Sequence, residues 1–220
     1  MKYRICYEKK DSLIFISQLD LQKVFQRAFR RTRIQLEYTQ GFHPHPKMTY
    51  SPPLPLFVAS KEEYLDVALV GEFDAQEIKE RLTKTLPRDL IIVSVEPVTE
   101  STPSLSSILV WGNYEIILCA EDENKAADAA NALSEYMNGT KEILITKLNK
   151  KKQTVTKDIL PLVKNFSVRS NGCEIIINAD LSLLNDSLLS AAVFTGALKD
   201  NVTEAKELVT KSITKLSAKM

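Results

Sequence analysis

The sequence predicts an α+β fold of two ferredoxin-like domains side by side, each with the order β-α-β-β-α-β and a mainly antiparallel sheet. Three observations lead to this prediction. Strand-like alternation and amphipathic segments of helical period follow one another in that order. A small, polar stretch, "TESTPSLSSI" at residues 99–108, interrupts the pattern. The same order then begins again with one insertion, although the two halves show no clear sequence repeat.

The first half, residues 1–98, has a signal for each element. A strand is predicted for "YRICYEKKDSLIFIS", with a short turn allowed at "KKDS". Ser17 with Asp20 three residues later resembles a capping box, so "QLDLQKVFQRAFRRTR" is predicted to be an amphipathic helix. Strands are predicted for "IQLEYT", "YLDVALV" and "LIIVSVEPV". A second helix, "DAQEIKERLTKTLP", is opened by Asp74.

The second half, residues 110–220, follows a predicted linker at 99–109. We predict a strand at "NYEIILCA", a helix at "DENKAADAANALSEYMNG" and a strand at "TKEILITKL". A basic loop with a short helix is predicted for "KKKQTVTKDILPLV", and a hairpin for "NFSVRSNGCEIIINA" with its turn at Asn171-Gly172. "SLLNDSLLSAAVFTGAL" is predicted to be a helix. "ELVTKSITKLSA" is predicted to be the final strand, with a helix as the alternative.

The composition argues against several classes of protein. The chain of 220 residues is 44% hydrophobic and 26% charged, which is typical of globular proteins. The sequence contains no run of about 18 apolar residues, so we predict no membrane span. The N-terminal stretch lacks signal-peptide features. Cys6, Cys119 and Cys173 are far apart, so we expect no disulfide framework and a cytoplasmic location. Because no CxxC cluster is present, we expect no iron–sulfur cofactor and no four-cysteine zinc site.

The net charge of +1 hides an uneven distribution. Residues 1–50 contain ten Lys and Arg against four Asp and Glu, whereas residues 51–110 contain five against ten. Such asymmetry can mark a basic patch for an anionic partner, or it can be chance clustering on a solvated surface.

The first helix concentrates these cations on the side opposite its apolar stripe. Planar, permanently charged guanidinium groups suit phosphate, so a nucleic-acid interface is predicted there. The alternative is a solvated face whose last arginines complement the helix dipole. The predicted nucleic-acid-binding residues are Lys23, Arg27, Arg30, Arg31 and Lys47.

The stretch "GFHPHPKMTYSPPLP" at residues 41–55 contains both histidines and five of the nine prolines. Proline fixes φ and removes a backbone donor, so this stretch is predicted to be a stiff loop after the second strand. Aromatic and basic side chains together favour contact with unstacked bases. The alternative is a rigid crossover whose aromatic residues pack in the core. The predicted recognition-loop residues are Gln40, Gly41, Phe42, His43, Pro44, His45, Pro46 and Tyr50.

The two histidines are also candidates for metal binding and for acid–base catalysis. His43 and His45 are two residues apart and would point the same way in an extended segment, but no spacing identifies a third metal ligand. Imidazole titrates near neutral pH, so either histidine permits general acid–base catalysis, with His45 as a weak candidate, and no GxSxG, P-loop or GxGxxG motif accompanies it. A lysine run, with Lys147, Lys150, Lys151, Lys152 and Lys157, is either a second basic element or a solvated loop.

Two stretches, "FISQLDLQKVFQRAFRR" and "YTQGFHPHPKMTYSPPLPLFVASKEEYLDV", carry a family resemblance. They closely resemble the N-terminal signature of bacterial radical-SAM-linked (radical-SAM-associated) proteins, which contain a domain of unknown function. The resemblance extends over the full chain and is strongest over residues 1–70. Members occur beside or fused behind a radical SAM protein, often near genes for ribosomal proteins and ribonucleases. The resemblance therefore implies a radical SAM partner and an accessory role that can involve RNA.

The family has no established catalytic residues to transfer to this chain. The chain departs from the family where members usually have His instead of Gln18 and often Asn instead of His43. Both departures weaken an enzymatic interpretation based on His43. His45 and Lys47 fit the family pattern as they stand.

Three hypotheses for function follow. The first is a non-catalytic, RNA-binding accessory protein of a radical SAM enzyme. The second is an RNA-modifying or RNA-cleaving enzyme that uses His45, an analogy at the level of the fold. The third is a protein–protein docking module that attaches to the radical SAM enzyme without RNA.

Overall fold

The computed structural model describes residues 1–99, 101–148 and 154–219. The helices and strands of these residues, numbered in chain order, are β1 (Lys2–Lys9), α1 (Gln18–Thr32), β2 (Met48–Tyr50), β3 (Val58–Ala68), α2 (Ala75–Thr83), β4 (Leu90–Val98), α3 (Leu105–Ile108), β5 (Trp111–Cys119), α4 (Glu123–Gly139), β6 (Leu144–Leu148), β7 (Thr154–Asp158), β8 (Val163–Asn171), β9 (Glu174–Ser182), α5 (Ala191–Asn201) and β10 (Val209–Lys219). The strand pairs are mainly antiparallel, which confirms the predicted α+β class. Within the described ranges, no helix is long and apolar enough to cross a membrane.

The chain forms two compact units. The first comprises Met1–Val110 and the end of β10 from Ser217 onward, and the second comprises Trp111–Leu216. The stretch predicted to be a linker, residues 99–109, contains the short helix α3 and buries Leu105 and Leu109.

The first unit is built on a sheet of order β4-β1-β3, with β2 also paired to β3. β1 lies antiparallel to both neighbours, so that Ile5 is opposite Leu65 on one side and Val95 on the other. Side chains alternate along a strand, which places Tyr3, Ile5 and Tyr7 together on one face. These residues form the core of the unit with apolar side chains of α1 and α2.

The start and rotation of α1 follow from its sequence. The Ser17 hydroxyl accepts the Asp20 N–H at 3.2 Å and donates to the Asp20 carboxylate at 2.7 Å, which confirms the predicted cap. Phe25 and Phe29 are fully buried, and the Phe25 ring packs edge-on against Tyr7 with centroids 5.0 Å apart. The opposite side of α1 is therefore directed away from the sheet.

The structure differs from the prediction just after β1. The strand ends at Lys9, and Asp11–Phe15 forms a 3₁₀ turn that begins with Asp11 at φ 48°. The Ser12 N–H donates to the Asp89 carboxylate at 3.2 Å, and the Ser12 hydroxyl also donates to it. These bonds to a residue far along the chain hold the turn, so local alternation alone could not reveal it.

The strand predicted at "IQLEYT" is also wrong as a continuous element. It contributes only isolated bridges, from Leu36 to Leu69 and from Tyr38 to Pro46. Because Pro46 has no N–H to donate, a regular ladder cannot run through this point. The regular pairing with β3 is instead made by the three residues of β2.

The second unit has a sheet of order β10-β5-β9-β8. β5 and β9 are antiparallel, with Ile116 opposite Ile177 at their centre. β8 and β9 form the predicted hairpin, and Gly172 in its turn has φ 58°, a conformation that glycine adopts without strain. The last element is a strand, so the helix alternative for the C-terminal segment is wrong.

The insertion in the second unit differs from the predicted basic loop and short helix. Thr154–Asp158 is strand β7, which pairs antiparallel with β6, in keeping with its β-branched residues. Leu160–Leu162 follows as a 3₁₀ turn. Of the lysine run, residues 150–152 lie outside the described residues.

We expect Ser17→Ala to lower the free energy of unfolding by about 1 kcal/mol, because the first turn of α1 loses its side-chain cap. Ser17→Thr keeps the hydroxyl and should retain most of the wild-type stability. Thermal unfolding followed by circular dichroism measures both, with Ser106→Ala at an exposed serine as the control. Equal melting temperatures for Ser17→Ala and the wild type would contradict a stabilising cap.

Candidate nucleic-acid interface

Four of the five predicted nucleic-acid-binding residues lie on the outer side of α1. Lys23, Arg27, Arg30 and Arg31 are all exposed, and they are opposite the helix's buried apolar side. We call these four residues the basic stripe. Its length from Lys23 to Arg30 is about 10 Å, at 1.5 Å per helical residue.

The residues of the basic stripe have different partners. Lys23 forms an ion pair with Asp20 at 3.1 Å, and Arg31 donates to the carbonyl of Thr85. The Ser17 hydroxyl and then Lys23 hold the pKa of the Asp20 carboxyl below its ordinary value. In the described part of the chain, no side-chain hydrogen bond or ion pair engages Arg27 or Arg30. These two guanidinium groups are the ones available to a phosphate.

The predicted recognition loop is the tip of a short hairpin. The Thr39 N–H donates to the His45 carbonyl at 2.8 Å, and the His45 N–H donates to the Thr39 hydroxyl at 3.0 Å. One step further from the tip, the Lys47 N–H donates to the Glu37 carbonyl at 2.8 Å. These bonds close the loop over Gln40–Pro44 and, with its prolines, restrict it.

The side chains of the tip point into solvent. Phe42 is fully exposed, and Gln40, His43 and His45 are exposed as well. Gly41 has φ 126°, a conformation that a residue with a Cβ rarely adopts, so the tip depends on glycine at this point. The loop thus presents an aromatic ring and two imidazoles without burying them.

Tyr50 lies apart from the rest of the predicted recognition loop. It belongs to β2, its ring is 6.2 Å from that of Phe25, and it packs against the core of the first unit. Burial raises the pKa of its hydroxyl well above the ordinary value. In this position Tyr50 anchors the end of the loop to the core.

Lys47 and the basic stripe lie on opposite sides of the first unit. α1 covers the sheet face that carries Tyr3, Ile5 and Tyr7, and the stripe points away from that face. Lys47 instead lines a pocket of about 360 Å³ with Lys2 and other residues of the face that α1 leaves uncovered. The structure therefore does not bring the five predicted residues onto one surface.

Sequence analysis missed the polar residues of this second face. Arg4 binds the buried Asp66 carboxylate through two hydrogen bonds, of 2.8 and 3.0 Å, and Lys2 lies 3.2 Å from the same carboxylate. Thr49, opposite Asp66 in the β2–β3 pairing, also lines the pocket. The available signal was that charged Lys2 and Arg4 alternate with apolar residues in the first strand. This pattern could not indicate that Arg4 pairs with Asp66, which is 62 residues away.

The two histidines lie on the hairpin loop. Among the residues that the structure describes, no three His, Cys, Asp or Glu side chains are grouped as metal ligands. The backbone of His45 is fixed by Thr39, while its imidazole is exposed.

We expect Lys47→Gln to raise the pKa of the Glu37 carboxyl toward its ordinary value. The hydrogen bond and charge of Lys47 hold this pKa low, so the stabilisation from the pair is present at neutral pH and is lost as the pH falls through the lowered pKa. NMR titration of the carboxyl carbon measures the change. Lys23→Gln, on the opposite side of the unit, is the control. An unchanged Glu37 titration in Lys47→Gln would show that the pair does not persist in solution.

Comparisons with known proteins identify a family and distant structural likenesses. The family model described as an uncharacterized protein conserved in bacteria (DUF2344) matches residues 2–190. No curated protein matches the sequence. A chain of a Cbf5-Nop10-Gar1 complex is similar with a TM-score of 0.47 and 12% identity, over 98% of this chain and 48% of that one, so this chain spans about half of its length. An unknown protein from Galdieria sulphuraria is similar with a TM-score of 0.28 and 9% identity, over 95% and 97% of the two chains.

Both structural likenesses are too distant to support an argument about function. The family match covers most of the sequence, including α1, the hairpin loop and the sheet of the first unit. The chain therefore belongs to this uncharacterized protein family conserved in bacteria.

Proposed function

We propose that this chain is a non-catalytic, cytoplasmic RNA-binding protein that serves as an accessory to a radical SAM enzyme. The observation that carries the proposal is the exposed pair Arg27 and Arg30, whose guanidinium groups make no hydrogen bond or ion pair within the described residues. Guanidinium groups bind phosphate oxygens in a bidentate geometry, so a row of them follows a phosphate backbone. The three free cysteines fit a reducing compartment.

The hairpin loop supports contact with bases. Phe42 is fully exposed at the tip, where a base can stack on its ring. The stem bonds and the prolines restrict the loop before any ligand binds, which lowers the entropy lost on binding. His43 and His45 add donors and acceptors next to the ring.

We also propose that the two units are ferredoxin-like domains, with a boundary at residues 99–109. The strand orders β4-β1-β3-β2 and β10-β5-β9-β8 support this interpretation, because both units place their first strand between their third and fourth. In each unit the four strands alternate with two helices in the order β-α-β-β-α-β, apart from the inserted β6–β7 pair and the short α3.

We expect the double variant Arg27→Gln and Arg30→Gln to bind single-stranded RNA more weakly and with less dependence on salt. Each phosphate that is no longer neutralised by an arginine should reduce the slope of log affinity against log salt by about 0.7, because fewer counterions are released. Fluorescence anisotropy with a labelled oligouridine at several salt concentrations measures both quantities.

The matched control is the double variant Lys61→Gln and Arg88→Gln, which removes the same charge from exposed residues outside α1. Equal loss of affinity and slope in both double variants would indicate a general charge effect. Undetectable RNA binding by the wild type, or binding independent of salt, would contradict the RNA proposal.

We also expect a radical SAM protein to be recovered with this chain from a native extract of the source cells. Recovery should be equal for the wild type and the Arg27→Gln and Arg30→Gln variant after ribonuclease treatment, because the enzyme is proposed to bind the protein directly. Mass spectrometry identifies the captured proteins, and a mock capture is the control. A wild-type capture without a radical SAM protein would contradict the accessory role and leave the RNA proposal to the binding experiment above.

A further inference from the structure

Two phenylalanine rings form an exposed pair near the start of α1. Phe15, in the 3₁₀ turn, is 62% exposed, and Phe57, just before β3, is 63% exposed. Their rings contact edge to face, with centroids 5.7 Å apart and planes at 83°. Large aromatic side chains are usually buried, so a pair left in water calls for an explanation outside the core.

The backbone that places Phe57 is strained. Its φ of 66° lies in the left-handed region, which is unfavourable for a bulky side chain and favourable for glycine. The Phe57 N–H donates to the Ile14 carbonyl at 2.8 Å, which ties this conformation to the turn that carries Phe15. Strain of this kind persists where the surrounding structure imposes it, and it is found at functional sites.

Phe15 lies shortly before the helix that carries the basic stripe. Phe15 is three residues before the start of α1, and Leu19 in its first turn is 66% exposed. Leu19 shares the outer side of α1 with Lys23 and Arg27, since these residues are four apart. Phe15 and Leu19 are also four apart, so their Cα atoms are at most about 14 Å from each other. Exposed apolar side chains therefore precede the row of cations along this part of the chain.

We propose that Phe15 and Phe57 form a stacking platform for an unpaired base of single-stranded RNA whose phosphates lie along the basic stripe. Single-strand binding proteins combine such a platform with a positively charged track, because every base has a face that stacks on an aromatic ring. This inference rests on the proposed function and adds a second base contact, distinct from Phe42 in the hairpin loop.

Charge favours RNA over a protein as the occupant. Beyond Leu19, the surface becomes the basic stripe, which complements phosphate. The nearby Asp20 carboxylate is bound by Ser17 and Lys23, so it opposes an anion less.

The substitution Phe57→Gly tests the platform without endangering the fold. Glycine adopts the positive φ freely, so the melting temperature should stay the same or rise while the ring is removed. We expect its affinity for a labelled oligouridine of about 12 nucleotides to fall roughly tenfold, as for the loss of one base–aromatic stack. The salt slope should stay at the wild-type value, because stacking releases no counterions.

Four further arms complete the experiment. Phe57→Tyr keeps a ring and should bind RNA with nearly the wild-type affinity. Phe15→Ala should lower the affinity as Phe57→Gly does, without changing the slope of log affinity against log salt. Phe42→Ala removes the exposed ring of the hairpin loop and should also lower affinity. Combining it with Phe57→Gly should lower affinity further, because the two rings are proposed to meet different bases. An abasic oligonucleotide should bind the wild type and Phe57→Gly equally.

The outcomes separate this inference from the proposed function. If the wild type binds RNA through Arg27 and Arg30 but Phe57→Gly and Phe15→Ala bind equally well, the platform is overturned and the proposed function stands. If Phe57→Gly binds RNA normally but loses the radical SAM partner, the pair is a protein-docking surface and the inference is wrong. If the wild type binds no RNA, both proposals fall.

Discussion

The pairing of β1 on both edges is the constraint on which the first unit depends. Because β1 lies between β3 and β4, its alternation assigns every neighbouring side chain to one of two faces. Tyr3, Ile5 and Tyr7 define the face that α1 must cover, and Lys2 and Arg4 define the other. The rotation of α1, and hence the outward direction of the basic stripe, follows from this assignment.

The same constraint explains which part of the candidate interface could be predicted from sequence. The basic stripe depends on the period of one helix and its cap at Ser17, so local pattern was sufficient. The position of Lys47 depends on pairing between distant strands, and the sequence pattern grouped it with arginines on the other side of the unit. The exposure of Phe57 was equally hidden, because it results from a backbone conformation that no residue pattern specifies.

The end of the hairpin loop is held by a partly polar core. The Ser51 hydroxyl donates to the buried Glu63 carboxylate at 2.5 Å, directly after β2. Burial, and then the charge of Glu63, raises the pKa of Tyr7. Burial lowers the pKa of Lys9, while Glu63 opposes that change. Such contacts tie Tyr50 and Ser51, and with them the end of the hairpin loop, to the core of the first unit.

In the proposed RNA-binding role, electrostatics alone cannot select one RNA strand over another. Phosphate contacts are the same along any strand, and the whole protein carries a net charge of only +1, so long-range attraction is weak. Affinity must then come from a local row of cations and from groups that meet bases. The exposed rings of Phe42, Phe15 and Phe57 can supply that second contribution. Their placement at a restricted hairpin tip and on a strained backbone indicates positions fixed before binding, which is how a weakly charged protein can select among single strands.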